Sequence, residues 1–260
     1  MTRIVIAGAG RMGQAVAALI AADASLELAG VWTRDTAAAA PRFPAGSAVS
    51  GDLGELLADG DCVVDFSLPE GSVTVAREAA DLRVPLVCGV SGLSASQLSA
   101  LERAAERVPV VFDRNMSQGI AVLTQLVERA AKVLGPAYRI CIDETHHVNK
   151  LDAPSGTALK LGEAAATGLG RCFDDLMWYE PGREDAEAPG GAIRFSVQRQ
   201  GDVPGEHEIS FASASERLTL AHSVASRSVF AEGALRAAAW VTGQPPGLYA
   251  MRHVLGFEPA

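Results

Sequence analysis

Short uninterrupted apolar runs alternate with Ala- and Leu-rich stretches over the first 112 positions of the chain. Residues 4–7 read as a first strand, 12–22 as a helix and 26–32 as a second strand, with later strands at 61–66, 84–88 and 108–112. These strands are apolar throughout instead of alternating, as strands covered on both faces are. Between the last two, 94–107 places Leu98, Leu101 and Ala105 at helical spacing. Strand and helix signals in alternation predict a parallel sheet with helices on both faces. The segment 33–51, with four consecutive Ala and two Pro, carries little pattern and reads as a surface loop or short helix.

Past Phe112 the period changes. Ile120, Leu123, Val127, Ala130 and Leu134 recur at three- and four-residue spacing and mark a long amphipathic helix closed by Gly135 and Pro136. A strand at 138–145, a polar loop and a helix at 156–167 follow. Residues 180–192, with three Gly, two Pro and five charges, read as a mobile loop. The runs 193–200, 207–212 and 217–223 alternate in polarity and read as antiparallel strands. An Ala-rich helix at 230–241 returns to the style of the first part. The fold class is therefore α/β: a Rossmann-type doubly wound parallel-sheet domain plus a smaller α+β domain with a mixed or antiparallel sheet. The boundaries fall at 1–117, completed by 228–260, for the first and 118–227 for the second.

Composition narrows the function. The 260 residues are 48% hydrophobic and 20% charged, enough to bury a core without staples. With 22 Lys and Arg against 31 Asp and Glu, the net charge of -9 gives no general attraction to nucleic acid or to anionic lipid. An anionic ligand would need locally gathered cations. Cys62, Cys88, Cys141 and Cys172 are scattered without zinc-type spacing and read as free buried thiols in a reducing compartment. The first apolar run is too short for a signal peptide, and no stretch reaches the roughly 18 apolar residues of a membrane span. A cytoplasmic location and no membrane partner are the expectations.

The run Gly8, Ala9, Gly10, Arg11, Met12, Gly13 follows the first strand and opens a helix, the context in which a GxGxxG match points to a dinucleotide. Gly8 permits a tight turn, Gly10 lets the backbone approach a pyrophosphate, and Gly13 lets helix and strand pack closely, while the helix N-terminus favours negative charge. The end of the second strand reads Val31, Trp32, Thr33, Arg34, Asp35. If Thr33 occupies the position of the usual ribose-binding carboxylate, Arg34 favours the 2′-phosphate of NADPH; if Asp35 does, NADH is favoured. NADPH is the preferred reading, with NADH usable.

Residues 144–158 hold the densest chemistry: Glu144, His146, His147 and Lys150, then Ser155, Gly156 and Thr157 where a helix starts. Hydroxyls and a Gly at a helix N-terminus make a carboxylate site, and Lys150 adds a full charge. An imidazole beside it, with an ordinary pKa of about 6.5, can move a proton near neutrality. No third ligand is spaced near the two His, so no metal is expected.

The run His146, His147, Lys150 and Asp152 to Ala158 resembles the signature of the 4-hydroxy-tetrahydrodipicolinate reductases, formerly dihydrodipicolinate reductases, of the diaminopimelate route to lysine. The likeness extends over nearly the whole chain, through Gly8 to Gly13, Asp65-Phe66-Ser67, Gly89 with Ser91-Gly92, Asn115-Met116-Ser117, Gly205-Glu206-His207 and Ala225-Ser226-Arg227. The resemblance implies a homotetramer whose N-terminal domain holds NAD(P)H and whose C-terminal domain holds a cyclic dicarboxylate and builds the subunit contacts. It implies hydride transfer from the nicotinamide to the substrate ring. His146 would be the acid/base, Lys150 the proton donor or carboxylate partner, and His147 a substrate contact. Ser155, Gly156 and Thr157 would cradle the other carboxylate. Cofactor contacts would be Gly8 to Gly13, Thr33, Arg34, Phe66, Gly89, Val90, Ser91, Asn115, Met116, Ser117 and Arg227. A different NAD(P)-dependent dehydrogenase or a non-catalytic dinucleotide sensor could share this architecture. The His-His-Lys-to-Thr signature counts against both.

The chain departs from the family pattern at three places. Its glycine turn is one residue shorter than GxxGRMG, Val90 stands where Thr is common, and Asp113-Arg114 precede Asn115 where small residues or Pro are usual. A carboxylate at Asp113 would repel a cofactor phosphate unless Arg114 pairs with it.

Overall fold

A computed structural model describes residues 1–182 and 189–257, so the loop predicted at 180–192 lies partly outside the described residues. Two compact units emerge: Met1–Gln118 joined by the chain from Arg227 onward, and Gly119–Ser226.

The first unit begins with β1 (Thr2–Ala7), α1 (Arg11–Ala22), β2 (Leu26–Trp32), α2 (Thr36–Ala39), β3 (Val49–Ser50) and α3 (Leu53–Leu57). It continues with β4 (Cys62–Asp65), α4 (Pro69–Leu82), β5 (Leu86–Cys88), α5 (Ala95–Ala105) and β6 (Pro109–Phe112). The chain crosses through α6 (Gln118–Leu134) into the second unit, which holds β7 (Arg139–His146), α7 (Gly156–Leu169), β8 (Met177–Trp178), β9 (Ile193–Arg199), β10 (Glu206–Ala212) and β11 (Arg217–Ser223). It returns with α8 (Ser228–Val241), β12 (Gly247–Tyr249) and α9 (Met251–Val254).

Seven strands of the first unit form one sheet in the order β12-β6-β5-β4-β1-β2-β3. Every pair in it is parallel. The inner strands are fully buried on both faces, with Ile4, Val5, Ile6, Val63, Val64 and Leu86 at 0% exposure, which explains their continuous apolar runs. The helix α4 left little trace in the pattern because its buried face is one Val among small residues: Ser72, Val75, Ala76, Ala79 and Ala80. The edge strand β12 is three residues long, too short for a periodicity to show.

The second unit carries a five-stranded mixed sheet in the order β11-β10-β7-β9-β8. Here the sequence expectation of three antiparallel strands needs correction. Strands β10 and β11 are antiparallel, but β9 runs parallel to β7. The reason lies between them. The connection contains the 14-residue α7, and a helical crossover returns the chain to lie parallel where a tight turn would reverse it. The core under this sheet gathers Ile120, Leu123 and Val127 of α6, Leu161 of α7, and Phe195 and Phe211 from the strands. Each such side chain, fully buried, contributes about 1.5–3 kcal/mol of transfer free energy.

Of the four thiols, Cys62 and Cys88 are buried as expected, whereas Cys141 is half-buried and Cys172 exposed; all four are free.

Candidate functional site

In the first unit a cavity of about 630 Å³ lies at the carboxyl ends of β1, β2 and β4 and is lined by Gly8, Ala9, Gly10, Thr33, Arg34, Arg42, Phe66 and Ser67 among others. Ligands of doubly wound sheets bind at this end. The turn entering α1 is shaped for close approach. Gly8 holds a φ of +103°, and a Cβ there would stand 2.6 Å from the Phe66 carbonyl oxygen. A Cβ on Gly13 would lie 2.0 Å from the Gly8 carbonyl oxygen, so helix and turn touch through backbone alone. Gly10, by contrast, faces open space and is the N-cap of α1, which no side chain caps and whose first turn carries no carboxylate. That leaves a helix N-terminus able to receive an anion.

The end of β2 supplies cations. Arg34 and Arg42 both line the cavity. Asp35 lines it too, but its carboxylate is engaged as the N-cap of α2, accepting the Ala38 N–H at 3.0 Å. Arg42 escaped the sequence reading because it sits in a 3₁₀ turn, Ala40–Arg42, inside the low-pattern segment. Beneath the cavity Asp65 is fully buried and accepts the Ser67 N–H at 2.9 Å. Burial pushes its pKa up, opposed by hydrogen bonds from Ser67 and Ser72.

Gly89 packs directly on the Phe66 ring, where a Cβ would meet Cε1 at 2.3 Å. Arg11, Met12, Gly13, Gly89, Val90, Ser91, Asn115, Met116, Ser117 and Arg227 are not among the residues that line the cavity. Met116 and Ser117 are buried, and Asn115 caps the Ser117 N–H at 2.8 Å. Asp113 accepts backbone N–H groups of Asn115 and Met251 at 3.2 and 3.3 Å, so local donors satisfy the carboxylate that the sequence marked as a source of repulsion.

In the second unit the chemistry gathers on β7. Burial alternates along this strand, and its inner face reads Ile140, Ile142, Glu144, His146. The apolar face of the strand thus ends in two ionisable groups. His207 of β10 stands opposite Glu144 in the antiparallel register, and Arg199 of β9 opposite His146 in the parallel one. The Glu144 carboxylate lies 3.6 Å from His207 Nε2, 3.7 Å from His146 Nδ1 and 3.6 Å from the Arg199 guanidinium. It also accepts the Ser155 backbone N–H at 3.1 and 3.2 Å. The two imidazoles meet edge to face with centroids 5.1 Å apart.

Electrostatics follow from this packing. Burial works to raise the Glu144 pKa, but hydrogen bonds from His207 and Ser155 and the charge of His146 outweigh it and hold the group at about 2. Burial lowers His146 to about 4, with His207, Lys150 and Arg199 adding to the effect and Glu144 opposing it. His146 is therefore neutral at neutral pH.

The loop after β7 brings the sequence-marked anion site to the same place. Lys150 pairs with Asp152 at 2.8 Å, and Arg199 ties the loop down through the carbonyls of Lys150 and Asp152 at 3.1 and 2.6 Å. His147 precedes it, half-buried. Ser155 is the N-cap of α7: its hydroxyl accepts the Ala158 N–H at 3.1 Å and lies 3.3 Å from His207 Nε2. Its side chain thus serves the helix, while Gly156 and Thr157 form the opening turn. Glu144 stood in the sequence cluster without a role, and His207 and Arg199 were missed as site residues. Counting period two back from His146 along β7 puts Glu144 on the same face, whereas His207 and Arg199 come only with strand pairing.

The ligand atoms of Glu144, His146 and His207 lie within 4.8 Å of one another, so the fold supplies the third metal-type ligand that the spacing did not show. The positive charges of Arg199 and Lys150 beside them oppose a dication there.

A parallel sheet with a glycine turn, an open helix N-terminus and an arginine-lined cavity, in a chain that also carries a buried His-Glu cluster beside a lysine, defines a pyridine-nucleotide-dependent oxidoreductase. Residues 2–116 match the family described as "Dihydrodipicolinate reductase, N-terminus", and residues 119–255 match "Dihydrodipicolinate reductase, C-terminus". The chain is 45% identical over its whole length to the whole 4-hydroxy-tetrahydrodipicolinate reductase of Anaeromyxobacter sp. (strain Fw109-5). It is also 45% identical to that of Caulobacter vibrioides, covering 98% of each chain. A solved structure described as dipicolinate-bound dihydrodipicolinate reductase from Paenisporosarcina sp. TG-14 shares the fold, with a TM-score of 0.79, 24% identity and coverage of 96% and 97% of the two chains. A myo-inositol dehydrogenase from Corynebacterium glutamicum is more distant, with a TM-score of 0.63, 16% identity and coverage of 95% and 90%. The chain belongs to the dihydrodipicolinate reductase family, whose reaction is the NAD(P)H-dependent reduction of 4-hydroxy-tetrahydrodipicolinate in lysine and diaminopimelate biosynthesis. No helix among the described residues is long and apolar enough to cross a membrane.

Proposed function

We propose that this chain performs that reduction with His146 and Lys150 as its proton-handling pair and NADPH as its preferred reductant. The observation that carries the reading is the meeting of His146 and the N-terminus of α7 around one buried carboxylate, with the Lys150 charge near enough to act on His146. A cyclic dicarboxylate needs two anion sites. Lys150, whose Asp152 partner is exposed and can be exchanged, offers one; the opening turn of α7 at Gly156 and Thr157 offers the other. His147 borders the first site. The reaction consumes a proton as well as a hydride, because the ring hydroxyl departs as water. A neutral His146 accepts a hydrogen bond or a proton, while the Lys150 ammonium is the group with a proton to give.

The residues present fit a dinucleotide. The open face at Gly10 and the uncapped start of α1 suit a pyrophosphate, with Ala9, Arg11 and Met12 in the same turn and Phe66 at the strand end. Thr33, Arg34 and Arg42 suit a 2′-phosphate, since Asp35 is occupied as a helix cap. When bound, the dihydronicotinamide supplies the hydride. Gly89, Val90, Ser91, Asn115, Met116, Ser117 and Arg227 belong to the proposed cofactor set through the family resemblance, and of these Gly89 packs on the cavity residue Phe66. The division of labour proposed is 1–117 with 228–260 for the cofactor and 118–227 for the substrate and for assembly as a homotetramer. The edge strand β11, with Leu218 41% exposed, is a surface for such contacts. Light scattering coupled to gel filtration checks the assembly.

The direct chemical test uses NADPH deuterated at the transferable position. One deuterium in the tetrahydrodipicolinate product supports the reading, and product without deuterium overturns it.

A further inference from the structure

One buried carboxylate links His146 to the start of α7 in the proposed substrate site. Glu144 is 1% exposed through its side chain, and its two oxygens serve Ser155 at the start of α7, both imidazoles and Arg199. The arms come from four elements. His146 shares β7 with it, His207 comes from β10, Arg199 from β9, and Ser155 caps α7. Arg199 in turn fixes the backbone of Lys150 and Asp152. Nδ1 of His146 and Nδ1 of His207 are buried without a hydrogen-bond partner among the described residues. The ring orientation is thus set through contacts to this carboxylate and to the neighbouring ring.

We propose that Glu144 is a positioning residue for the reduction, with His207 as its second arm: the buried carboxylate holds the proton-handling ring of His146 and the anion-binding start of α7 in one frame. The proposal rests on the reductase reading given above. Glu144 itself is placed to touch neither substrate nor cofactor. It acts by fixing where His146 points and how readily that ring takes a proton. The charged or titratable groups facing the cluster are His146, Lys150 and Asp152 of β7 and its loop, Arg199 of β9, His207 of β10 and His222 of β11. Two of them pull on His146 in opposite senses. The Glu144 charge favours its protonation, and a charged His207 disfavours it.

That opposition supplies the test. Stopped-flow NADPH oxidation is followed from pH 4 to 8 for the wild type, Glu144→Gln and His207→Gln, with NADPH binding and thermal unfolding measured on each. Glu144→Gln should lower kcat by about 10- to 100-fold, the cost typical of losing an outer partner of a reacting group, while NADPH binding in the other unit is unchanged. Its acid limb in kcat/KM should move to lower pH, since loss of the anion makes His146 harder to protonate. His207→Gln should move the limb to higher pH. Glu144→Asp, which keeps the charge and shortens the reach, should keep the limb near the wild-type position with an intermediate kcat. It decides the matter if the Gln variant does not fold. Limbs that stay at the wild-type pH in all variants, or a kcat within twofold of wild type, would overturn the proposal and leave the reductase reading standing. A wild type without turnover would bring down the reductase reading, and this proposal with it.

Discussion

Glu144 of β7 and His207 of β10 stand directly opposite one another in an antiparallel strand pair, with 3.6 Å between carboxylate and imidazole Nε2. Both are buried, at 3% and 4% exposure. Burying a carboxylate here costs desolvation, which the Ser155 N–H hydrogen bonds and the Arg199 guanidinium 3.6 Å away offset.

Acid should loosen this unit in a defined window. His146 has a folded pKa of about 4 against an ordinary 6.5, so the unfolded chain binds more protons between those values and stability falls as pH drops through that range. Glu144, held at about 2 against 4.5, contributes stability that is present above the unfolded value and lost as pH falls towards 2. Thermal unfolding midpoints should therefore decline from pH 7 to pH 4, and His146→Asn should flatten the upper part of that decline. A midpoint independent of pH over this range would contradict the assignment.

The helix α7 depends on its cap. Ser155→Ala removes the hydroxyl that accepts the Ala158 N–H and should cost about 0.5–2 kcal/mol in chemical denaturation. The substrate KM should rise with it, because the anion-binding turn begins there.

Gly13→Ala tests the turn at the cofactor end. Its Cβ would lie 2.0 Å from the Gly8 carbonyl oxygen, so turn and helix must part. Overpacking of this kind costs about 1–3 kcal/mol. NADPH affinity should fall as well; unchanged affinity and stability would show that the turn relaxes freely.

Cofactor preference rests on Arg34 and Arg42. Charge-assisted hydrogen bonds contribute about 1.5–3 kcal/mol each, or roughly 10- to 100-fold in binding. Arg34→Ala and Arg42→Ala should each raise the NADPH KM on that scale and leave the NADH KM nearly unaltered. Equal effects on both cofactors would remove the 2′-phosphate assignment.

The parallel sheet was legible because strands buried on both faces leave continuous apolar runs and because Gly8 and Gly13 have one structural use each. Helix α4 was not, since Ser72, Ala76, Ala79 and Ala80 make a buried face without large apolar residues. The direction of β9 was hidden for another reason: alternation reports which faces a strand shows, never which way its neighbour runs. For the site, local sequence held His146, Lys150 and Ser155 within ten positions. Arg199 and His207 are 53 and 61 positions beyond His146, and only the pairing of β9 and β10 with β7 brings them in.

The most direct test of the central claim is the loss of NADPH absorbance when the protein meets freshly condensed pyruvate and aspartate semialdehyde, run beside Lys150→Ala. Rapid oxidation by the wild type and a rate lower by about 10²–10⁴-fold in the variant, with NADPH binding intact, is the predicted result. Equal rates in the two proteins, or no oxidation by a wild type that binds NADPH, would contradict it.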